Sequence, residues 1–500
     1  MKKFLHIIFV LIVLFTIPIL SKQNSENNHK ILSRELGDDI KIEYLDNEII
    51  IQTIENIISF PQNKRSANFN EVTINNIQLR EKLISIGTVR VNNIFFHRYH
   101  YPDLDNYYLL KINSNIDPYD IADELKKNPI IKTALPNIIL YPFIFPNDAL
   151  FNYQWGLHNT GTIPGIPGTS GANDADIDAP EAWNIETGDN NVVVAVIDSG
   201  IDYTHPDLAA NIWTNPGEIP NNNIDDDNNG YIDDYRGWDF YNDDNNPMDS
   251  FGHGTAVAGV ISAVTNNNIG ISGVCWNCKL MPIRILDVTF GNVMDIVDAI
   301  IYATDNGADI TSNSWGGGQI SYLAPLEAAF DYAKNNGVVS IAAAGNSNNP
   351  NPVAPAFYDS ILAVASLNNY GLKSVFSNYG PWVDIAAPGG AVSCSWGLTD
   401  ILTTIPTISF FWQSHFCYGG NFNNIYAFFG GTSLAAPFVS GTAALLLSKT
   451  PSLTVDQVYT LLRSGVDSAL SNLYYIGEGR INAHKVLSYN LPAVAYLDSS

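Results

Sequence analysis

The chain reads as an α/β protein, a doubly wound parallel sheet flanked by helices, preceded by a small α+β unit. Three observations predict this. From Asn147 onward, apolar strand-like runs alternate with segments of helical spacing, the pattern of parallel strands joined by right-handed helical crossovers. Residues 191–197 form a near-continuous apolar run, as expected for a strand buried on both faces. Residues 22–145 differ in texture, with more Lys, Ile and Asn and few Gly.

In the first unit, Glu48 to Thr53, Tyr107 to Ile112 and Ile130 to Ala134 read as strands. Pro118 to Lys127 has helical spacing with Asp117 as its cap. In the second unit the strands are Asn191 to Ile197, Lys279 to Leu286, Asp309 to Asn313, Val338 to Ala344 and Ile361 to Ser366. The helices are Gly254 to Val264, Val293 to Asp305, Tyr322 to Asn335 (closed by Gly337), Ser433 to Lys449 and Thr454 to Ser464. Ligands in such folds bind at the carboxyl ends of the strands, where Asp198 and Asn346 both fall.

The 500 residues are 46% hydrophobic and 15% charged, a composition for a globular chain with a sizeable core. A formal net charge of −25 disfavours nucleic acid and anionic membranes as partners and suits cations. Met1-Lys2-Lys3 and the apolar run Phe4 to Leu20 read as a secretory signal over residues 1–21, so export is expected. The alternative is that the run stays uncleaved as a membrane anchor. Four cysteines are too few for a disulfide scaffold. Cys394 and Cys417 flank an aromatic-rich insertion, and Cys275 and Cys278 form a C-x-x-C at a turn entering a strand, with no second ligand pair for a metal. Spacing alone leaves the pairing of Cys275, Cys278, Cys394 and Cys417 open.

Chemistry concentrates in four blocks. Asp198 ends the apolar strand in VVVAVIDSGID, where a carboxylate needs hydrogen-bonding partners. His253, in FGHGTAVAG, opens a helix of small residues able to approach the sheet. Asn346 follows the small residues of SIAAAGNSN. Ser433, in GTSLAAP, sits on a turn entering a helix, where its N–H and the helix dipole face a developing anion. A serine nucleophile needs a base, an orienter of that base and a second oxyanion donor. His253, Asp198 and Asn346 are the candidates, in the order Asp…His…Asn…Ser. These blocks resemble those of the subtilisin-like serine peptidases (subtilases), whose mechanism the resemblance carries over.

The resemblance implies more. Ser314-Trp315-Gly316 matches the edge where substrate backbone pairs, and with Ala343, Ala344 and Gly345 it walls the primary specificity pocket. No charge is apparent in these walls, so broad or apolar preference is expected. Leu434 stands where the family commonly has Met, which should increase tolerance of oxidants. Residues 22–145 become an inhibitory, fold-assisting propeptide, 146–491 the catalytic domain and 492–500 a short tail, with no appended C-terminal domain expected.

The −25 charge suits cations, and two places are candidates for calcium. Asp225, Asp227, Asn229, Gly230 and Asp233 match the first nine positions of a calcium loop, but Arg236 replaces the bidentate Glu at the twelfth. Asp234, Asp239, Asp243, Asp244 and Asp249 are candidates for the missing oxygens. Resemblance alone implies a second site from Asp148, Asp207 and Asn267. The expectation is an exported, calcium-stabilised serine endopeptidase made as a zymogen, acting on proteins or peptides. Its rivals are a membrane-anchored processing protease of narrow selectivity and a non-catalytic binding protein on the same fold.

Overall fold

The computed structural model describes residues 31–36, 40–61, 64–94, 106–139, 144–162, 164, 171–287, 291–316, 323–391, 398–408, 424–468 and 475–489. The signal-like run, Cys394 and Cys417 lie outside these residues. The described residues fall into two compact units, one on each side of the bond between residues 141 and 142.

The first unit comprises β1 (Ile31–Leu36), β2 (Ile40–Thr53), β3 (Ile58–Ser59), β4 (Ser66–Asn68), β5 (Thr73–Ile74), α1 (Ile77–Ser85), β6 (Thr88–Asn93), β7 (Tyr107–Ile112), α2 (Pro118–Leu125) and β8 (Ile131–Ile138). Its main sheet is antiparallel in the order β1-β2-β7-β6-β4, with β8 also paired to β2. Alternate residues Ile49, Ile51, Tyr108 and Leu110 meet Leu79 and Leu83 of α1 and Ile121 and Leu125 of α2 in one core. Asp117 caps α2 by accepting from Tyr119 N at 2.8 Å, and Pro118 takes the first helical position, where its missing N–H costs nothing.

The second unit holds α3 (Ala179–Trp183), β9 (Val193–Asp198), β10 (Trp238–Asp239), α4 (His253–Ser262), β11 (Lys279–Arg284), α5 (Val293–Asp305), β12 (Ile310–Asn313), α6 (Ala324–Asn335), β13 (Val339–Ala343), β14 (Ile361–Leu367), β15 (Ile385–Pro388), β16 (Ile401–Thr404), β17 (Tyr426–Phe429), α7 (Thr432–Lys449), α8 (Val455–Ser464), β18 (Val466–Asp467), β19 (Arg480–Ile481) and α9 (Ala483–Ser488). The sheet runs β10-β11-β9-β12-β13-β14-β15-β19-β18 and is parallel except for the closing β18–β19 pair. After β9 the chain goes to β10 and β11 on one side and then to β12 on the other. That reversal opens a crevice at the carboxyl ends of these strands.

Every residue of β9 is buried. Val194 and Val196 pack into the core that holds Val257 and Ile261 of α4 and Val439 of α7. Val193, Ala195 and Ile197 pack into the opposite core, with Ile300 of α5 and Phe330 of α6. The strand is apolar throughout because both faces are covered. The C-x-x-C cysteines form a buried Cys275–Cys278 disulfide beside the start of β11. Phe330 is fully buried. Phe330→Ala is expected to cost about 3–5 kcal/mol, read as a lower midpoint in chemical denaturation with an unchanged slope.

Candidate active site

Asp198 is wholly buried at the last position of β9, and its Oδ1 accepts from His253 Nδ1 at 2.7 Å and from Ser199 N at 2.7 Å. An ionised carboxylate only accepts, so the proton sits on Nδ1 and Nε2 is left basic. Burial opposes the imidazolium. The charge and hydrogen bond of Asp198, with the charge of Asp249, outweigh it and raise the His253 pKa above its usual value. The small residues of α4 permit this approach: a Cβ on Gly254 would lie 2.1 Å from the Gly200 carbonyl oxygen and 3.2 Å from Asp198 Cβ.

Ser433 is the second residue of α7, whose first N–H groups have no partner within the helix. Thr432 uses this: its N–H and hydroxyl both donate to Asn346 Oδ1, at 2.8 and 2.9 Å. The amide is thereby oriented with Nδ2 turned away from Thr432. Asn346 Nδ2 and Ser433 N each lie 3.6 Å from the point that a Cβ on Gly431 would occupy. Two donors and the positive end of α7 therefore border one small space. Pro437 contributes by what it lacks. Without an N–H it cannot bond the Ser433 carbonyl four residues back, and that carbonyl accepts from Ser314 Oγ at 2.9 Å. Ser433 Oγ in turn donates to the Ser314 carbonyl at 3.1 Å.

Ser314, Trp315 and Gly316 follow β12 directly, beside the end of β13. Trp315 turns inward: its Nε1 donates to the Ile197 carbonyl at 2.9 Å and its ring stacks on Phe330. A Cβ on Gly316 would meet the Ala354 carbonyl oxygen at 3.1 Å and Val353 Cγ1 at 3.3 Å, so residues 353 and 354 face this segment. Ala343 and Ala344 are buried, and Gly345 has φ +97°, with its N–H donating to Thr432 Oγ1. Sequence reasoning missed Thr432 and Asn378. Asn378 accepts from Ser347 N and Asn349 N and donates to the Ala344 carbonyl, fixing the loop around Asn346. The signal for Thr432 was its place beside Ser433, but its partner is 86 residues away.

In the predicted calcium loop the acids divide between closing turns and facing one another. Asp225 accepts from Asn229 N and Gly230 N, and Asp233 from Asn222 N and Asn223 N, so both carboxylates close turns. Asn229 Oδ1 accepts from Tyr231 N. The carboxylates that converge are Glu218, Asp227 and Asp234, each offering an oxygen within 4.8 Å of the others. Asn215 Nδ2 joins Asp227 to Asp234, and Glu218 Oε2 is buried without a hydrogen-bond partner. Glu218 lies outside the motif's twelve-residue window. Asp239 instead pairs with Arg284 at 2.8 Å, and Asp249 is bonded to the turn before α4. Asp148, Asp207 and Asn267 do come together. Asn267 N donates to Asp148 and Asn267 Nδ2 to Asp207 at 2.6 Å.

Gly254→Ala would force α4 from the end of β9. A loss of about 1–3 kcal/mol in thermal unfolding is expected, larger than for an alanine placed on an exposed helix position.

A family model described as the subtilase family matches residues 189–477. The chain is 33% identical over 371 residues to a thermophilic serine proteinase of Bacillus sp. (strain AK1), covering 74% of this chain and 76% of that protein. It is 35% identical over 314 residues to thermitase of Thermoactinomyces vulgaris, covering 63% of this chain and 94% of that protein. Among solved structures, one of the proteases from Pseudoalteromonas arctica superposes with a TM-score of 0.54 at 31% identity, covering 68% of this chain and 98% of that one. With its fold and the order of its four blocks, the chain belongs to the subtilase family of serine endopeptidases.

Proposed function

We propose that the protein is an exported, calcium-stabilised serine endopeptidase, made as a zymogen, that cleaves protein or peptide substrates through Asp198, His253 and Ser433. The observation that carries this reading is the buried 2.7 Å hydrogen bond from His253 Nδ1 to Asp198, which puts the proton on Nδ1 and makes Nε2 the basic nitrogen. In the reaction, the Ser433 hydroxyl leaves the Ser314 carbonyl for His253 Nε2, loses its proton there and attacks the substrate carbonyl carbon. The Ser433 N–H and Asn346 Nδ2 stabilise the oxyanion. The imidazolium, held by Asp198, protonates the leaving amine. Water then repeats the sequence on the acyl-enzyme.

Substrate backbone pairs along Ser314 to Gly316 opposite Ala343 to Gly345. The uncharged walls, narrowed by Val353, fit small or medium apolar side chains. The first unit, expected as a propeptide, serves as an intramolecular inhibitor. Among the described residues no helix is long and apolar enough to cross a membrane. The positive and apolar N-terminal run supports export.

Calcium fits the donors present. Glu218, Asp227 and Asp234 offer converging carboxylates, one with an unsatisfied buried oxygen, and a dication removes their mutual repulsion. At the second place, burial raises the Asp207 carboxyl to about 6, with the neighbouring Asp148 adding to it. A bound cation would hold Asp148, Asp207 and the turn at Asn267 together in the native state alone, and so would stabilise it.

The main test is fluorophosphonate labelling with mass mapping of the modified peptide. Labelling at Ser433 is expected, lost in Ser433→Ala, which should also accumulate as uncleaved precursor. Failure of the folded, propeptide-free enzyme to label would leave a non-catalytic protein. Because the His253 pKa is raised and the base must be neutral, kcat/KM should rise with pH through a midpoint above about 6.5. For the metal, Glu218→Gln should lower the melting temperature in calcium and change little in chelator. Wild type should lose about 2–3 kcal/mol on going from calcium at a hundredfold excess over Kd to chelator. Equal loss by the variant in both conditions would remove Glu218 from the ligand set.

A further inference from the structure

We infer that Asp249 is a second buried acid behind the catalytic pair, a positioning residue that binds the Asp198 and His253 segments to one carboxylate and supports the imidazolium. The inference rests on the serine-protease reading above.

Asp249 is fully buried, four residues before His253. Its Oδ1 accepts from Ser199 Oγ at 3.0 Å, Phe251 N at 2.9 Å and Gly252 N at 2.7 Å. Its Oδ2 accepts from Thr255 N at 2.9 Å and Thr255 Oγ1 at 2.7 Å. The chain is therefore clamped to one carboxylate on both sides of His253. Ser199 closes a ring: it donates to Asp249 through Oγ, accepts from Gly254 N at 2.9 Å, and donates its own N–H to Asp198 Oδ1. That oxygen is the one that receives His253 Nδ1. Thr255 Oγ1 also accepts from Asp202 N, extending the lock to the turn after β9.

None of the five donors to Asp249 is a cation, and a carboxylate buried in that way is costly. Burial raises its carboxyl pKa while the donors oppose the rise. Three of those donors are N–H groups that can meet only a lone pair. An asparagine would present one acceptor oxygen instead of two and no charge. The charge has a use, because His253 must become an imidazolium in a site where burial resists it. Among the described residues, the charges that act on the imidazole are Asp198 from β9 and Asp249 from the turn before α4. β17 faces it with the Phe429 ring, and the first turn of α7 holds no acidic residue.

The test is the pH dependence of kcat and KM on a chromogenic peptide, for the mature wild type, Asp249→Asn and Ser199→Ala. Asp249→Asn should lower kcat about 10-fold with KM nearly unchanged, and shift the acid limb of kcat/KM down by roughly half a unit. Ser199→Ala keeps the charge and removes the link, so kcat should fall severalfold with the acid limb unmoved. A folded Asp249→Asn with the wild-type acid limb would reduce Asp249 to a structural role and overturn the inference. Where Asp249→Asn yields no folded enzyme, Asp249→Glu is read instead. Lowered kcat with a wild-type acid limb supports the proposal, and unchanged kcat overturns it. Fluorophosphonate labelling of the wild type separates the two levels: an unlabelled wild type ends the protease reading, whereas a labelled wild type with an unmoved limb in Asp249→Asn ends only the role of Asp249.

Discussion

The second unit depends on a carboxylate placed at the end of a strand that is buried on both faces. The residues of β9 before Asp198 satisfy their backbone in the ladders to β11 and β12 and their side chains in two cores. Asp198 is then delivered into the buried interior, away from bulk solvent, and its stability is decided by the donors that reach it. A histidine and a backbone N–H do so. The requirement fixes where α4 must start, which glycines allow it to come that close, and which way the imidazole faces. The geometry of the His253–Asp198 pair and the hydrogen bonding of a buried acid are one problem here, solved at Oδ1, while Oδ2 has no hydrogen-bond partner among the described residues.

The same reasoning links the donor side of the site to α7. A helix start is a set of N–H groups in want of acceptors, and this one divides them. Thr432 spends its donors on Asn346, while Ser433 N stays beside the amide that Thr432 has oriented. The loop after Asn346 is held independently by Asn378. Two chain segments with little in common in sequence thus converge on one space bordered by hydrogen-bond donors. The acidic insertion before α4 follows a different logic, in which turns are closed by side-chain carboxylates and three acids are left facing one another.

Much of this was legible in the sequence. The long strands and helices of the second unit show because apolar runs and helical spacing are strong when both faces or one full stripe are buried. α1 was not anticipated, since exposed Ile77 and Ile84 blur the stripe made by Leu79 and Leu83. The short strands β16 and β18 are too brief to carry a period. In the insertion, the spacing of acids resembles a calcium loop; Asp233 adopts a positive φ and accepts from Asn222 N and Asn223 N, and Glu218, from outside the motif, lies beside Asp227 and Asp234. Asn378, whose side-chain partners lie 29, 31 and 34 residues away, has no local pattern to betray its role, and the position of Thr432 beside Ser433 does not reveal its partner 86 residues away.

The proline inside α7 has a consequence for how the chain tolerates change. Ser314 and Ser433 are 119 residues apart and exchange hydroxyl-to-carbonyl hydrogen bonds in both directions. One of those bonds goes to a carbonyl that Pro437, lacking an N–H, does not claim. Any other residue at 437 would bring an N–H able to compete for, or share, the Ser433 carbonyl. A substitution that improves helix propensity there would thus put a competing donor beside the joint between the Ser314 segment and the start of α7. The position rewards poor helix formation, so a search for stability by local propensity alone would choose against the site.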